Sequence, residues 1–153
     1  MGLNKAKDLE GMKGFDVDLQ FGKHFEELLD DIFKGVHKSE IKTERDKWIS
    51  YGNMVVETQS NGEPSGLTRT EADLWIHNFS YKGELIFSIM VPVDRLKRVV
   101  DKMVEDKVAR VAKGGDGWRS TLTLLPIDMV LSYLREGAKD NDNRTKDNID
   151  TEE

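Results

Sequence analysis

Residues 37–59, HKSEIKTERDKWISYGNMVVETQ, carry the side chains of this chain best suited to chemistry. Glu40, Lys42 and Glu44 alternate along one short apolar-polar run, and Val55, Glu57 and Gln59 along a second. Side chains two apart on a strand share a face. Folded as a hairpin about Ser50, the segment sets Lys42 opposite Glu57 and Glu40 near Gln59. Two carboxylates, an ammonium group and an amide then form one patch. Carboxylate oxygens suit a hard divalent cation. Such a cation polarises a phosphate and lowers the pKa of a bound water. A neighbouring lysine stabilises negative charge or helps position the nucleophile. The chemistry that this set supports is metal-assisted phosphodiester hydrolysis. Gln59 can hydrogen-bond a water or a phosphate oxygen, but it cannot act as a base. The same alternation also describes a strand with one solvated charged face, and on pattern alone that reading stays open.

The elements around the patch follow from periodicity. From Asp18, Phe21, Phe25, Leu28, Leu29, Ile32 and Phe33 recur at three- and four-residue steps, which predicts a helix stopped by Gly35. Glu26 falls beside the apolar stripe of that helix and is a candidate fourth contributor, with Gly22 one turn earlier. Asp46 has the parity of Glu40 but sits in the expected turn. SNGEPSGLTRTEA reads as a loop. Residues 72–79 and 84–91 alternate as strands about a Tyr81-Lys82-Gly83 turn. A second helix begins near Pro92, with Leu96, Val99, Val100, Met103 and Val104 inside and Arg95, Lys97, Arg98 and Lys102 outside. Strands are predicted at 108–112 and 120–125, around the loop Lys113-Gly-Gly-Asp-Gly-Trp-Arg119. A third helix is predicted from Pro126 to Glu136, ended by Gly137. Helices combined with strands in this order predict an α/β or α+β fold, a mixed β-sheet flanked by helices.

Other features are assigned more plainly. His24, His37 and His77 lack metal-ligand spacing and are expected to be structural. The glycine-rich loop is expected to be a tight turn, although its N–H groups could also cradle a phosphate. The basic side of the second helix carries Asp94 and Asp101 as well, so a solvated face is expected rather than a contact to a nucleic-acid backbone. Trp75 is expected in the core.

The chain has 153 residues, no cysteine and a formal net charge of −6. That length suits one domain, drawn here over 17–138, after a loose arm over 1–16. The tail 139–153 has six acids, three bases and one aliphatic residue, Ile149, and is expected to be disordered. Absence of cysteine excludes disulfides and thiolate metal sites and suits a reducing compartment. No run reaches the length of a membrane span, and the N-terminus lacks the apolar core of a signal peptide. Gly2 is not followed by the Ser or Thr of a lipidation motif. The expected location is cytoplasmic. The negative charge argues against binding nucleic acid by bulk attraction, though a metal site gathers carboxylates of its own.

These residues also resemble a family. Gly22-x-x-x-Glu26 on a helix comes first, then Glu40-Ile-Lys42-Thr-Glu-Arg-Asp46. Tyr51-Gly-Asn53 and Met-Val-Val-Glu57 follow, with Pro-Ser-Gly-Leu67 and Thr-Glu-Ala-Asp-Leu-Trp75 after them. In that order they look like small phage-encoded nucleases of the PD-(D/E)XK superfamily. The similarity runs from Leu19 to Phe79, with weaker echoes through the glycine-rich loop. The E-x-K triplet alone is weak, whereas the ordered set is more specific. The resemblance implies a restriction-endonuclease-like core and Mg²⁺- or Mn²⁺-dependent cleavage of DNA in phage recombination, repair or genome processing. It places the protein in the cytoplasm of a host cell. It implies that Glu26, Glu40 and Glu57 gather around the metal, with Lys42 and Gln59 beside them. The chain departs from the usual order. Either Glu40-x-Lys42 is the triplet and the preceding Asp is missing or moved, or Glu40 stands in for that Asp and Glu57-x-Gln59 is the triplet, with Lys42 as a migrated amine. Hairpin geometry favours the second arrangement. Gln59 in place of the usual lysine leaves a catalytically inactive DNA-binding or assembly protein as the alternative. A homodimer would supply the second site that coordinated double-strand cuts require.

Overall fold

A computed structural model describes residues 15–147 of the chain. The chain divides into two compact units between Ser39 and Glu40. The N-terminal unit is built on one helix, α1 (Phe15–Phe33). Its apolar residues recur on one stripe as the periodicity requires. It ends where expected. Gly35 takes φ +75°, while the Gly35 and Val36 N–H groups return to the carbonyls of Ile32 and Asp31. That pattern closes the last turn of a helix. The expected arm over 1–16 lies outside the described residues except for Phe15 and Asp16, which belong to α1.

The second unit holds β1 (Ser39–Glu44), α2 (Trp48–Tyr51), β2 (Asn53–Ser60), β3 (Glu63–Pro64), α3 (Gly66–Arg69), β4 (Leu74–Tyr81), β5 (Glu84–Pro92), α4 (Val93–Glu105), β6 (Arg110–Gly114), β7 (Ser120–Pro126) and α5 (Ile127–Asp147). The architecture is α+β. It has two sheets where the sequence suggests one, a mixed sheet ordered β1-β4-β5 and an antiparallel sheet ordered β3-β2-β7-β6.

The expected hairpin of residues 37–59 does not form. Both of its strands exist, but β1 lies beside β4, and β2 pairs with β7 from Asn53↔Pro126 to Ser60↔Ser120. The connection explains the split. Residues 45–52 are too many for a tight turn and form a helical turn instead, capped by Gly52 at φ +65°. Trp48 anchors that turn to the first sheet. Its ring centroid lies 5.4 Å from that of Phe79 and 5.5 Å from that of Phe87, and its Nε1 donates to the Ser80 carbonyl at 2.7 Å. The chain thus leaves β1 over one sheet and enters β2 in the other.

A shared apolar core supports both sheets. Met54 and Val56 of β2, Trp75 and Phe79 of β4, and Leu125 of β7 pack with Leu96, Val99, Val100 and Met103 of α4 and with Val130 of α5. Four of the five residues of the expected inner stripe of α4 are buried, whereas Val104 is exposed. On β4 the buried parity is Trp75, His77 and Phe79, joined by Leu74, while Ile76 is only partly covered. Trp75 is in the core, as expected. The turn between β4 and β5 falls at Lys82-Gly83, both at positive φ, the geometry of a two-residue hairpin loop. The third helix does not stop at Gly137. It runs on to Asp147, taking in residues 139–147 of the expected acidic tail, and 148–153 lie outside the described residues. One glycine inside a helix costs only about 1 kcal/mol relative to alanine, which does not end it. No helix among the described residues is long and apolar enough to cross a membrane.

Candidate functional site

A cavity of about 580 Å³ opens between the two sheets of the second unit. Glu40, Lys42 and Glu44 line it from β1, and Val55 and Glu57 from β2. The alternation holds for Glu40, Lys42 and Glu44 and for Val55 and Glu57, although Thr43 also lines the cavity and the strands belong to different sheets. On β2, Val55 and Glu57 face the cavity while Met54 and Val56 enter the core. Ser65, Gly66, Arg69 and Thr70, from α3 and its flanks, close another side.

Lys42 Nζ sits 2.6 Å from Glu40 Oε1 and 6.0 Å from the centroid of the Trp75 ring. The other oxygen of Glu40 accepts from Thr70 Oγ1 at 3.3 Å. Glu57 is held by two hydroxyls. Ser65 Oγ donates to Oε1 at 2.5 Å, and Ser120 Oγ donates to Oε2 at 2.6 Å. The Ser120 and Ser65 hydroxyls, with the charge of Lys42 as a smaller contribution, hold the Glu57 carboxyl below the usual carboxylate range against the opposing push of burial. Glu57 is thus fixed in orientation and ionised at neutral pH, and Lys42 acts on both carboxylates.

The depressed pKa carries a pH prediction. A carboxyl whose folded pKa lies below its unfolded value contributes stability that is complete above the unfolded value and is lost as pH falls through the folded one. For Glu57 the ordinary value is 4.5. The difference in melting temperature between the wild type and Glu57→Gln should be constant near neutral pH and shrink below about pH 4.5. Scanning calorimetry from pH 3 to 7 checks this, and a difference that does not change with pH would contradict it.

Glu44 has a different task. Its Oε1 accepts the Val55 N–H at 2.6 Å and lies 3.0 Å from His77 Nε2. Trp75 Nε1 donates to His77 Nδ1 at 3.0 Å. An indole N–H can only donate, so Nδ1 is the bare nitrogen and Nε2 carries the hydrogen that faces Glu44. The Trp75–His77–Glu44–Val55 chain stitches the two sheets together under the cavity. His77 is buried at 1 % exposure at the edge of the cavity, with both ring nitrogens bonded within the protein. His77→Phe would leave the buried Trp75 N–H without an acceptor and Glu44 with the Val55 N–H but not the imidazole. We expect a loss of about 1–3 kcal/mol in urea unfolding. An unchanged midpoint would contradict this chain of bonds.

The remaining candidates fall elsewhere. Gln59 is not among the cavity-lining residues. A register shift between Glu57 and Gln59 breaks their shared parity, and Gln59 is exposed, accepting from Thr121 Oγ1 at 3.4 Å. Glu57-x-Gln59 is therefore not a same-face pair. Hairpin geometry, which favoured it as the triplet, is also absent. Asp46 accepts the Lys82 N–H at 2.7 Å, which commits it to the β4–β5 turn. Glu26 is exposed on α1, in the N-terminal unit, whereas every residue lining the cavity belongs to the second.

Sequence reasoning misses the two serines and Arg69. Ser65 stands in a stretch read as a loop and within the Pro-Ser-Gly-Leu67 segment of the resemblance, with no role given to its hydroxyl. Ser120 is 63 residues from Glu57 and becomes its neighbour only through β2–β7 pairing, which no local pattern reports. Arg69 ends α3 and brings a second cation to the cavity.

Among the described residues no three His, Asp or Glu side chains cluster as a ready-made metal cage. Carboxylate oxygens are nevertheless the donors that a hard divalent cation takes. Mg²⁺ commonly keeps several waters and binds through one or two carboxylates plus substrate phosphate. Glu40 and Glu57 line one cavity and each retains acceptor capacity beyond its present bonds, so they are the carboxylates that could hold such a cation. No family model, curated protein or solved structure matches this chain.

Proposed function

We propose that this protein is a Mg²⁺- or Mn²⁺-dependent DNA endonuclease, a variant of the PD-(D/E)XK type with its site built across two sheets. One observation carries the reading. Glu40, Lys42 and Glu57, singled out by residue type and spacing, line a single cavity, and Lys42 acts electrostatically on both carboxylates. A plain solvated strand face would not require two serine hydroxyls to orient Glu57.

In this reading Glu40 and Glu57 hold the cation. When bound, the cation polarises the phosphate and lowers the pKa of an attacking water. Ser65 and Ser120 keep Glu57 ionised and aimed. Lys42 donates to the phosphoryl oxygens as negative charge builds during attack. Arg69 grips a neighbouring phosphate, for which its planar fork of donors is suited. The Trp75–His77–Glu44–Val55 chain ties β1 to β2, the kind of support that holds a site to its working geometry.

Incubation with supercoiled, linear and branched DNA in Mg²⁺, Mn²⁺ or EDTA tests the proposal. Cleavage in either metal that stops in EDTA is the expected result. DNA binding without cutting in any metal would instead favour the inactive, DNA-binding reading.

A further inference from the structure

The β6–β7 connection reaches the same carboxylate from another direction. Its last ladder pair is Gly114↔Ser120, and residues 115–119 form a loop with one 3-10 turn at Asp116–Trp118. Gly115 has φ +70°, and a Cβ there would stand 2.8 Å from Ser120 Oγ, the hydroxyl that donates to Glu57 Oε2. The loop is thus folded directly onto the support of the cavity, and Gly115 leaves room for that hydroxyl.

Trp118, at the end of this loop, is 74 % exposed and has φ +57°. A bulky residue in the left-handed region is costly, and burial of its ring would be the usual compensation. Here the ring stays in solvent, so neither packing nor backbone preference accounts for a tryptophan at this position. Lys113 and Arg119 flank the loop and are exposed. Arg119 lies close to the loop backbone, since a Cβ on Gly117 would meet its Nε at 3.3 Å. Lys113 Nζ donates to Thr121 Oγ1 at 2.7 Å, beside Ser120. The short segment 113–119 thus carries an exposed aromatic with two exposed cations and one carboxylate, Asp116. An exposed ring with cations in the same segment can bind single-stranded nucleic acid, the ring stacking on a base and the cations following the backbone. Trp118 is two residues from Ser120, so their Cα atoms are at most about 7 Å apart.

We infer that Trp118, with Lys113 and Arg119 beside it, is a stacking platform for an unpaired base of a DNA strand whose backbone passes the Glu57 carboxylate. The substrate class is DNA with single-stranded character next to the scissile phosphate, such as a flap, fork or branch. The inference rests on the reading of the cavity as a DNA site.

Binding measured apart from cutting tests it. The full chain is titrated with labelled single-stranded, forked and fully duplex oligonucleotides, in EDTA and in Ca²⁺, by fluorescence anisotropy and tryptophan quenching. The wild type should prefer the first two and show quenching. Trp118→Ala should weaken single-strand binding by about 5- to 100-fold. Trp118→Phe should restore it to within about threefold, because a phenyl face still stacks. Duplex affinity should be equal in all three proteins. Trp118→Gly should melt no lower than the wild type, since glycine accepts the left-handed backbone, and should bind like Trp118→Ala. Equal single-strand affinity in the wild type and Trp118→Ala would overturn the inference, as would no preference for unpaired strands or no DNA binding by the wild type in either condition. Parallel cleavage assays in Mn²⁺ separate this from the nuclease reading. Cutting that survives alongside Trp118-independent binding overturns the platform alone. Trp118-dependent binding with no cutting supports the platform and overturns the nuclease.

Discussion

Lys42→Ala should reduce metal-dependent DNA cleavage by at least about 10²-fold and leave the protein folded. The size follows from the position of Lys42, whose ammonium faces Glu40 at 2.6 Å and helps hold Glu57 ionised. Removing a donor aimed at developing phosphate charge typically costs about 10²–10³ in rate. The stability change should be small, because the Lys42 side chain is 44 % exposed and ion pairs in contact with solvent contribute about 0–1 kcal/mol. Gln59→Ala supplies the contrast. Gln59 lies outside the cavity lining, beyond the register shift, so cleavage should stay within about threefold of wild type and stability within about 0.5 kcal/mol. Single-turnover cleavage of a labelled substrate in Mn²⁺, with circular dichroism as the check on folding, reads both variants. A Lys42→Ala protein that cuts at the wild-type rate would remove lysine from the chemistry. A Gln59→Ala protein that fails to cut while remaining folded would return the triplet to Glu57-x-Gln59.

Gly66→Ala should be the most damaging single-methyl change in the second unit. Gly66 has φ +50°, and a Cβ there would lie 2.3 Å from the Glu57 carbonyl oxygen and 3.0 Å from the Glu57 Cβ. The obstacle is backbone, which cannot rotate aside as the end of a long side chain can. Strain in the left-handed region and the displacement of α3 from β2 each cost about 1–3 kcal/mol. A total of about 3 kcal/mol would lower the melting temperature by about 10 °C. The damage should reach the site as well. Ser65 immediately precedes Gly66 and donates to Glu57, so moving α3 withdraws one of the hydroxyls that depress that carboxyl. Thermal unfolding and cleavage should therefore fall together. A Gly66→Ala protein with wild-type stability and activity would contradict the close packing of α3 on the Glu57 backbone.

The parts of this fold that were legible in the sequence are the ones that local patterns encode. Alternation along 40–44 and 55–57 placed Glu40, Lys42 and Glu57 on cavity-facing positions, because the pleat fixes side-chain direction residue by residue. The apolar stripe of α4, the Lys82-Gly83 turn and the α1 stop at Gly35 are local for the same reason. Pairing is not local. Which strand lies beside β2 depends on Trp48 finding Phe79 and Phe87, and on β7, whose sequence lies more than 60 residues away. The hairpin is therefore absent, while the cavity-facing positions of Glu40, Lys42 and Glu57 do not depend on it. Gln59 shows the converse failure. Its parity along the strand was right on paper, but one register shift carried it off the shared face. Ser120 shows a third case, since a lone serine at the start of a strand carries no mark of the carboxylate it will hold.

The central claim is that carboxylates from two sheets converge with Lys42 on one cation site. A crystal of the protein grown or soaked in Mn²⁺, with anomalous density collected at the manganese edge, addresses it directly. The account predicts a peak about 2.2 Å from an oxygen of both Glu40 and Glu57, lost in Glu57→Gln. A saturated crystal with no peak in the cavity, or with manganese bound only where neither carboxylate reaches it, would contradict the account.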